Sequence, residues 1–217
     1  MDVVLVDAGG TNIGSVSYAL ERLGVHAPMT RDAGRIRAAS HVILPGVGAA
    51  AHGMQRLRDS GLDKVITGLA QPVLGVCLGM QLLFEHSAEG DVDCLGLLPG
   101  QVQRLHGGPG LRVPHMGWNQ LTVEHADPLL DGIKAGDCAY FVHSYAAPAG
   151  DATLASCTHG ERFSAVVRRG NFCGMQFHPE RSAGVGARLL QNFLALTLDP
   201  VACASSETMG DSKGGSL

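Results

Sequence analysis

Two short stretches of the chain carry side chains that could do chemistry together. The first is GVCLGMQ, Gly75 to Gln81, a cysteine between two glycines. It follows the apolar run PVLGV and leads into a helical pattern, so a strand, a turn and a helix meet at Cys77. A strand running into G-x-C-x-G and then a helix is a nucleophile-elbow arrangement with Cys in place of Ser. Gly75 and Gly79 allow close backbone approach around a strained turn residue. A helix that begins just after Cys77 points free N–H groups at the sulfur and favours the thiolate. The backbone N–H of Leu78 is placed to donate into an oxyanion hole. A buried cysteine beside two packing glycines explains the same stretch about as well, so a partner base has to decide.

The second stretch is QFHPERS, Gln176 to Ser182. His178 and Glu180 are two residues apart at the end of an apparent core strand, so their side chains can leave the same side. His178 is suited to take the thiol proton and return it to a leaving amine, with Glu180 setting its tautomer. Alone, HPE reads as a turn with a surface histidine. A third stretch, PGVG (Pro45 to Gly48), also follows an apolar run. Its glycines free backbone N–H groups to face a ligand, although a plain turn would look the same.

These residues need a frame that brings them together. VVLVD (Val3 to Asp7), HVILPGVG (His41 to Gly48) and PVLGV (Pro72 to Val76) read as buried strands. Helical spacing follows each: GSVSYALERLG, a pattern from about Ala51 to Leu69, and MQLLFEH. This βαβα rhythm predicts an α/β fold with a mostly parallel sheet flanked by helices, whose sites form at strand carboxyl ends. From Gly96 to about Val167 the runs QVQRL, NQLTVEH, AYFVHSYAA, TLASCTH and FSAVVRRG predict an additional mixed or antiparallel region. NFCGMQFH reads as one more core strand and ARLLQNFLALTL as a final amphipathic helix.

Composition sets outer bounds. The 217 residues suit one domain, expected over 1–199, with a polar, aperiodic tail over 200–217 expected to be disordered. A net charge of −4 gives no general attraction to nucleic acid or an anionic membrane. No apolar stretch approaches a membrane span and the acidic N-terminus does not suit a secretion signal, so a cytoplasmic protein is expected. The six cysteines form no CxxC pair; apart from Cys77 they are expected to be small buried hydrophobes. No metal site is indicated, and the histidines other than His178, His143 included, read as hydrogen-bonded polar residues.

With LPGVG, GVCLGMQLL and QFHPERS in this order, the chain resembles the class I, triad-type glutamine amidotransferases, whose core is flavodoxin-like. More narrowly, it looks like the glutaminase subunits of imidazole glycerol phosphate synthases. That resemblance rests on Met80, VPHMGWN (Val113 to Asn119), YFVHSY (Tyr140 to Tyr145) and HPERS followed by GARLLQNFL. It runs from Val3 to Leu198. Relatives serving anthranilate synthesis usually carry His at the Met80 position and lack PHMGWN. A glutaminase subunit of such a synthase, and a catalytically silent binding subunit, are the alternatives.

The resemblance implies glutamine hydrolysis through a Cys77 thioester, with His178 as base then acid and Glu180 orienting it. The oxyanion donors would be the backbone of Leu78 and Val47, the latter after a peptide flip tied to the partner's ligand state. Gly46, Gly48, Gln81, Ser144 and Tyr145 match substrate-holding positions. Ammonia would pass, without any cofactor, to a cyclase subunit with a (β/α)8 barrel in a heterodimer serving histidine biosynthesis. Asn12, Met116, Trp118 and Asn119 match the partner face; a lone tryptophan is otherwise often a core anchor. The first turn, DAGGTN, departs from the family's usual aromatic at Ala8, which touches docking detail and not the core chemistry.

Overall fold

The computed structural model describes residues 1–9 and 14–197. Its elements in chain order begin with β1 (Val3–Val6), α1 (Gly14–Arg22), β2 (Met29–Thr30), α2 (Ala33–Ala38) and β3 (His41–Gly46). Then come α3 (Ala50–Asp59), α4 (Leu62–Thr67), β4 (Val73–Cys77) and the single-turn α5 (Leu78–Gln81). Short strands follow: β5 (His86–Ser87), β6 (Val92–Asp93), β7 (Gln101–Arg104), β8 (His115–Gln120) and β9 (Thr122–Val123). The chain continues with β10 (Cys138–His143), β11 (Tyr145–Ala146), β12 (Thr153–His159), β13 (Glu161–Arg169), β14 (Phe172–Met175) and α6 (Ala183–Ala195).

The main sheet has eight strands in the order β2-β1-β3-β4-β14-β13-β12-β9. It is parallel from β2 to β14 and antiparallel beyond. The apolar runs VVLV, VLGVC and FCGM are buried at every residue, as strands covered on both faces require. Alternate residues feed two cores. Val3, Leu5, Ile43 and Leu74 meet Leu20 of α1 and Leu189 and Phe193 of α6. Val4, Val42, Leu44 and Val73 meet Ile36, Met54, Leu57 and Ile66 of α2–α4.

The additional region divides three ways. β12 and β13 extend the main sheet, β8 and β10 form a two-stranded ribbon, and β5, β6, β7 and β11 form a small sheet. Two helical expectations are corrected. The pattern from Ala51 to Leu69 is two helices, broken at Gly61 with φ +68°. The helix after Cys77 stops after one turn because the carbonyls of Leu82, Leu83 and Phe84 are taken by the N–H groups of residues 95–98. Cys157 and Cys173 are buried as expected, whereas Cys94 is half-buried and Cys138, at the ribbon's end, is exposed. Among the described residues no helix is long and apolar enough to cross a membrane. The tail and Cys203 lie outside the described residues.

Candidate active site

Three adjacent parallel strands carry the three motifs to one edge. In the register Gly46 of β3 lies beside Cys77 of β4, so PGVG leaves the sheet next to the nucleophile candidate. On the other side Met175 of β14 lies beside Val76, which puts His178 just past the same edge.

Cys77 itself turns the chain with φ +54° and ψ −112°, a conformation that costs a side-chain-bearing residue of order 1–3 kcal/mol. The turn closes only because its neighbours lack side chains. A Cβ on Gly75 would sit 2.6 Å from the backbone of Gly79, and one on Gly79 would sit 1.8 Å from the Leu44 carbonyl oxygen. Gly46 belongs to this packing as well: its Cβ position lies 2.5 Å from the Gly79 nitrogen. The helix dipole behind the sulfur is that of one turn only.

His178 Nδ1 lies 3.0 Å from Glu180 Oε1, both side chains being largely buried. That leaves Nε2 free of Glu180, and Cys77 is the other group that acts on the ring. Burial alone would depress the imidazole, but its interactions with Cys77 and Glu180 outweigh it and push His178 up to about 10. Its backbone is fixed too: His178 N–H donates to the Tyr140 carbonyl at 3.0 Å, and Ser182 Oγ donates to the His178 carbonyl at 2.7 Å. The second Glu180 oxygen, Oε2, is buried with no hydrogen-bond partner among the described residues.

A cleft of about 450 Å³ opens over these groups. Of the residues singled out from sequence, Val47, Gly48, Leu78, Gln81, Ser144 and Tyr145 line it together with Cys77, His178 and Glu180. Gly46 does not; it packs beneath. Gln81 is buried and spends both amide hydrogens internally, on the Tyr145 carbonyl at 2.8 Å and on Gln176 Oε1 at 3.0 Å. Sequence reasoning missed Glu89, His143 and Arg181, which also line the cleft. Glu89 sits in a short turn that looks like solvated surface, yet the Ala50 N–H at the start of α3 donates to its carboxylate at 2.9 Å. That bond aims the acid into the site, and no local pattern announces it.

Trp118 is 54% exposed and Met116 64%, so neither is a core anchor. They stand on the outward side of β8, with Tyr140 of β10 opposite Trp118 and the Arg181 guanidinium 4.1 Å above the Tyr140 ring. Asn119 lies on the inward side of that strand and bonds within the molecule. Asn12 lies outside the described residues.

Beneath the ribbon two histidines are buried. Burial pushes His143 down to about 3 and His115 down to about 4. In the unfolded chain both would protonate near 6.5. Below that pH the unfolded chain binds more protons than the folded one, so stability is lost as pH falls from about 6.5 toward 4. We expect unfolding free energy from urea titrations to drop by on the order of 3–6 kcal/mol across that window, and His115→Leu to remove about half of the slope. A flat profile would show that the rings are already charged in the native state.

A family model, glutamine amidotransferase class-I, matches residues 4–196. The chain belongs to this family. It is 59% identical over 196 residues to the imidazole glycerol phosphate synthase subunit HisH of Xanthomonas euvesicatoria pv. vesicatoria (strain 85-10), covering 90% of this chain and 98% of that one. The HisH subunit of Xylella fastidiosa (strain Temecula1) is 57% identical over 195 residues, again covering 90% and 98%. Among solved structures, a glutamine amidotransferase superposes with a TM-score of 0.70 at 22% identity, covering 89% of this chain and 97% of that one. PurLQS from Thermotoga maritima gives 0.64 at 20%, with the same coverage. At these identities the two structures speak for the fold alone.

Proposed function

We propose that the chain hydrolyses glutamine to glutamate and ammonia and hands the ammonia to a cyclase subunit that makes imidazole glycerol phosphate in histidine biosynthesis. The observation that carries this reading is the convergence of Cys77, His178 and Glu180 at the ends of two adjacent parallel strands. The Cys77 sulfur attacks the carboxamide carbon, and the oxygen that gains charge is held by the backbone N–H of Leu78 and one from Val47. His178, having taken the thiol proton, gives it to the departing nitrogen, and ammonia leaves. Water then attacks the γ-glutamyl thioester with His178 as base, and glutamate is released. Glu180 keeps Nδ1 occupied so that Nε2 stays on the reacting side. Glu89 supplies a negative charge for the α-ammonium of glutamine, and Ser144, Tyr145, Gly48 and Gln81 complete the wall. The Gln81 NH2 being spent, its carbonyl end is the one that meets the ligand.

The partner would be a (β/α)8 barrel docked in a heterodimer on the face carrying Met116 and Trp118. In support, the exposed apolar side of β8 runs beside the mouth of the cleft, where Arg181 stands on Tyr140. The 59% identical relative is itself named as a subunit of that synthase. The test is glutamate release from glutamine by the purified chain, alone and with a cyclase subunit carrying its nucleotide ligand. Strong stimulation by the liganded partner is the expected result. High activity from the chain alone would refute gating by the partner, and no release under either condition would refute the glutaminase reading.

A further inference from the structure

The ribbon strand β8 alternates in an unusual way. Its even residues, Met116, Trp118 and Gln120, face outward, whereas its odd residues, His115 and Asn119, turn polar side chains inward. What those side chains touch can be read donor by donor. Asn119 Oδ1 accepts from the Gln120 N–H at 2.8 Å, which fixes the amide and leaves Nδ2 as the donor. Nδ2 donates to the Thr158 carbonyl at 2.9 Å and to His115 Nε2 at 3.2 Å. His115 Nε2 is therefore the acceptor nitrogen, and the proton sits on Nδ1, 3.1 Å from His143 Nε2. His143 must then carry its own proton on Nδ1, where it meets the Tyr145 carbonyl at 2.9 Å. A carbonyl can only accept, so both tautomers are determined by the two ends of the chain.

The same Tyr145 carbonyl accepts from Gln81 Nε2 at 2.8 Å. Gln81 also donates to Gln176 Oε1 at 3.0 Å, and the Gln176 amide nitrogen lies 3.9 Å from the Cys77 sulfur. Gln176 is wholly buried and lies one residue past Met175, beyond the register that sets β14 against β4. A continuous line of polar contacts thus joins the inner side of the ribbon to the nucleophile, through a carbonyl in the wall of the cleft.

We propose that His115 and His143 are positioning residues of the glutaminase, a pair of neutral rings whose interlocked tautomers hold the Ser144–Tyr145 wall against Gln81 and so keep the substrate pocket in its binding shape. This rests on the glutaminase reading above. Neither ring is placed as a proton carrier. His143 lines the cleft, but both its nitrogens are committed, one to Tyr145 and one to His115. His115 reaches no cleft group except through His143. Its effect is to deny His143 the other tautomer, in which an Nδ1 lone pair would face the Tyr145 carbonyl and repel it. The titratable groups around the pair are His159, which stacks on His115 with ring centroids 4.1 Å apart, and His178, which lines the same cleft as His143. Each ring donates from one nitrogen and accepts at the other, which only the uncharged form can do, and burial favours that form.

Asparagine at position 115 retains an N–H donor at the place of Nδ1, whereas leucine fills the space and donates nothing; both lose the stacking on Phe141 and His159. The two variants therefore separate the hydrogen bond from the packing. In the full chain with its cyclase partner, His115→Leu should raise the glutamine KM about tenfold with kcat falling less than about threefold, because the wall binds ground and transition states alike. His115→Asn should stay within about twofold of wild type. Nitrogen-15 NMR of the labelled full chain should show both rings protonated on Nδ1, with His143 becoming a mixture in the leucine variant only. Equal KM changes in the two variants, or an unchanged KM in His115→Leu, would overturn the proposal and leave the pair a packing element. Should the wild-type complex turn over no glutamine, the glutaminase reading fails first. The tautomers then still decide whether the interlocked pair exists: Nε2–H on either ring overturns it.

Discussion

Cys77→Ala should reduce glutamine-dependent turnover by more than about 10⁴-fold while leaving ammonia-dependent synthesis by the cyclase partner largely intact, since removing a nucleophile takes away the covalent step and not merely a binding contact. The split matters more than the loss. Ammonia supplied from solution bypasses the thioester, so a partner that still works with it proves the variant chain folds and docks. If both activities fell together, Cys77 would be holding structure. The backbone gives a second, independent readout of the same residue. With φ +54°, Cys77 pays a conformational penalty that alanine would share and glycine would not. Cys77→Gly should therefore be more stable than Cys77→Ala by about 1 kcal/mol or more, measured by denaturant unfolding of the two inactive variants. Equal stabilities would mean the elbow is unstrained and the positive φ has no functional reading.

The elbow was legible because its signals are local. An apolar run, two glycines and a helical pattern bracket Cys77, and the strands that carry PGVG and QFHPERS are themselves continuous apolar runs. Such runs are buried on both faces, hence parallel, hence open at one edge. What escaped was whatever depends on contacts distant in sequence. Glu89 faces the cleft because the start of α3, thirty-nine positions earlier, donates to it. The helix after Cys77 has a helical sequence as far as Phe84 but loses its carbonyls to the loop at 95–98. Asn119 and Trp118 are neighbours in one motif, yet strand alternation sends one inward and the other out, and only the pairing of β8 with β10 says which. His143 read as an ordinary polar residue; its place in an ordered chain of donors is visible only when three strands and a turn are seen together.

The largest expected effect on folding is at a residue with no side chain. Gly79 begins the tight approach of α5 to β3, and a methyl group there would lie 1.8 Å from the Leu44 oxygen and 2.8 Å from the Leu44 carbonyl carbon. Relief cannot come from a rotamer change, because the obstacle is backbone in a strand hydrogen-bonded on both sides, to β1 and to β4. Either α5 moves away from the sheet, or the centre of the sheet distorts. Overpacking a core with a methylene ordinarily costs about 1–3 kcal/mol, and a backbone obstacle this close should exceed that range. We expect Gly79→Ala to lose more than about 4 kcal/mol, which for a chain of this size lowers the melting temperature by roughly 10 °C or more if folded protein is recovered at all. Gly184→Ala is the matched control: it lies in the first turn of α6 with nothing within 4 Å of the added methyl. There the exchange should stabilise by about 0.5–1 kcal/mol through helix propensity and reduced freedom of the unfolded chain. The contrast isolates the cause. If both alanines were tolerated, the approach of α5 to Leu44 would be loose enough to admit a methyl group, and the Leu78 N–H would no longer be held in place for the oxyanion. If Gly79→Ala folded but lost glutamine turnover alone, the same crowding would have shifted that N–H without breaking the sheet, tying the packing glycine to the chemistry of its neighbour.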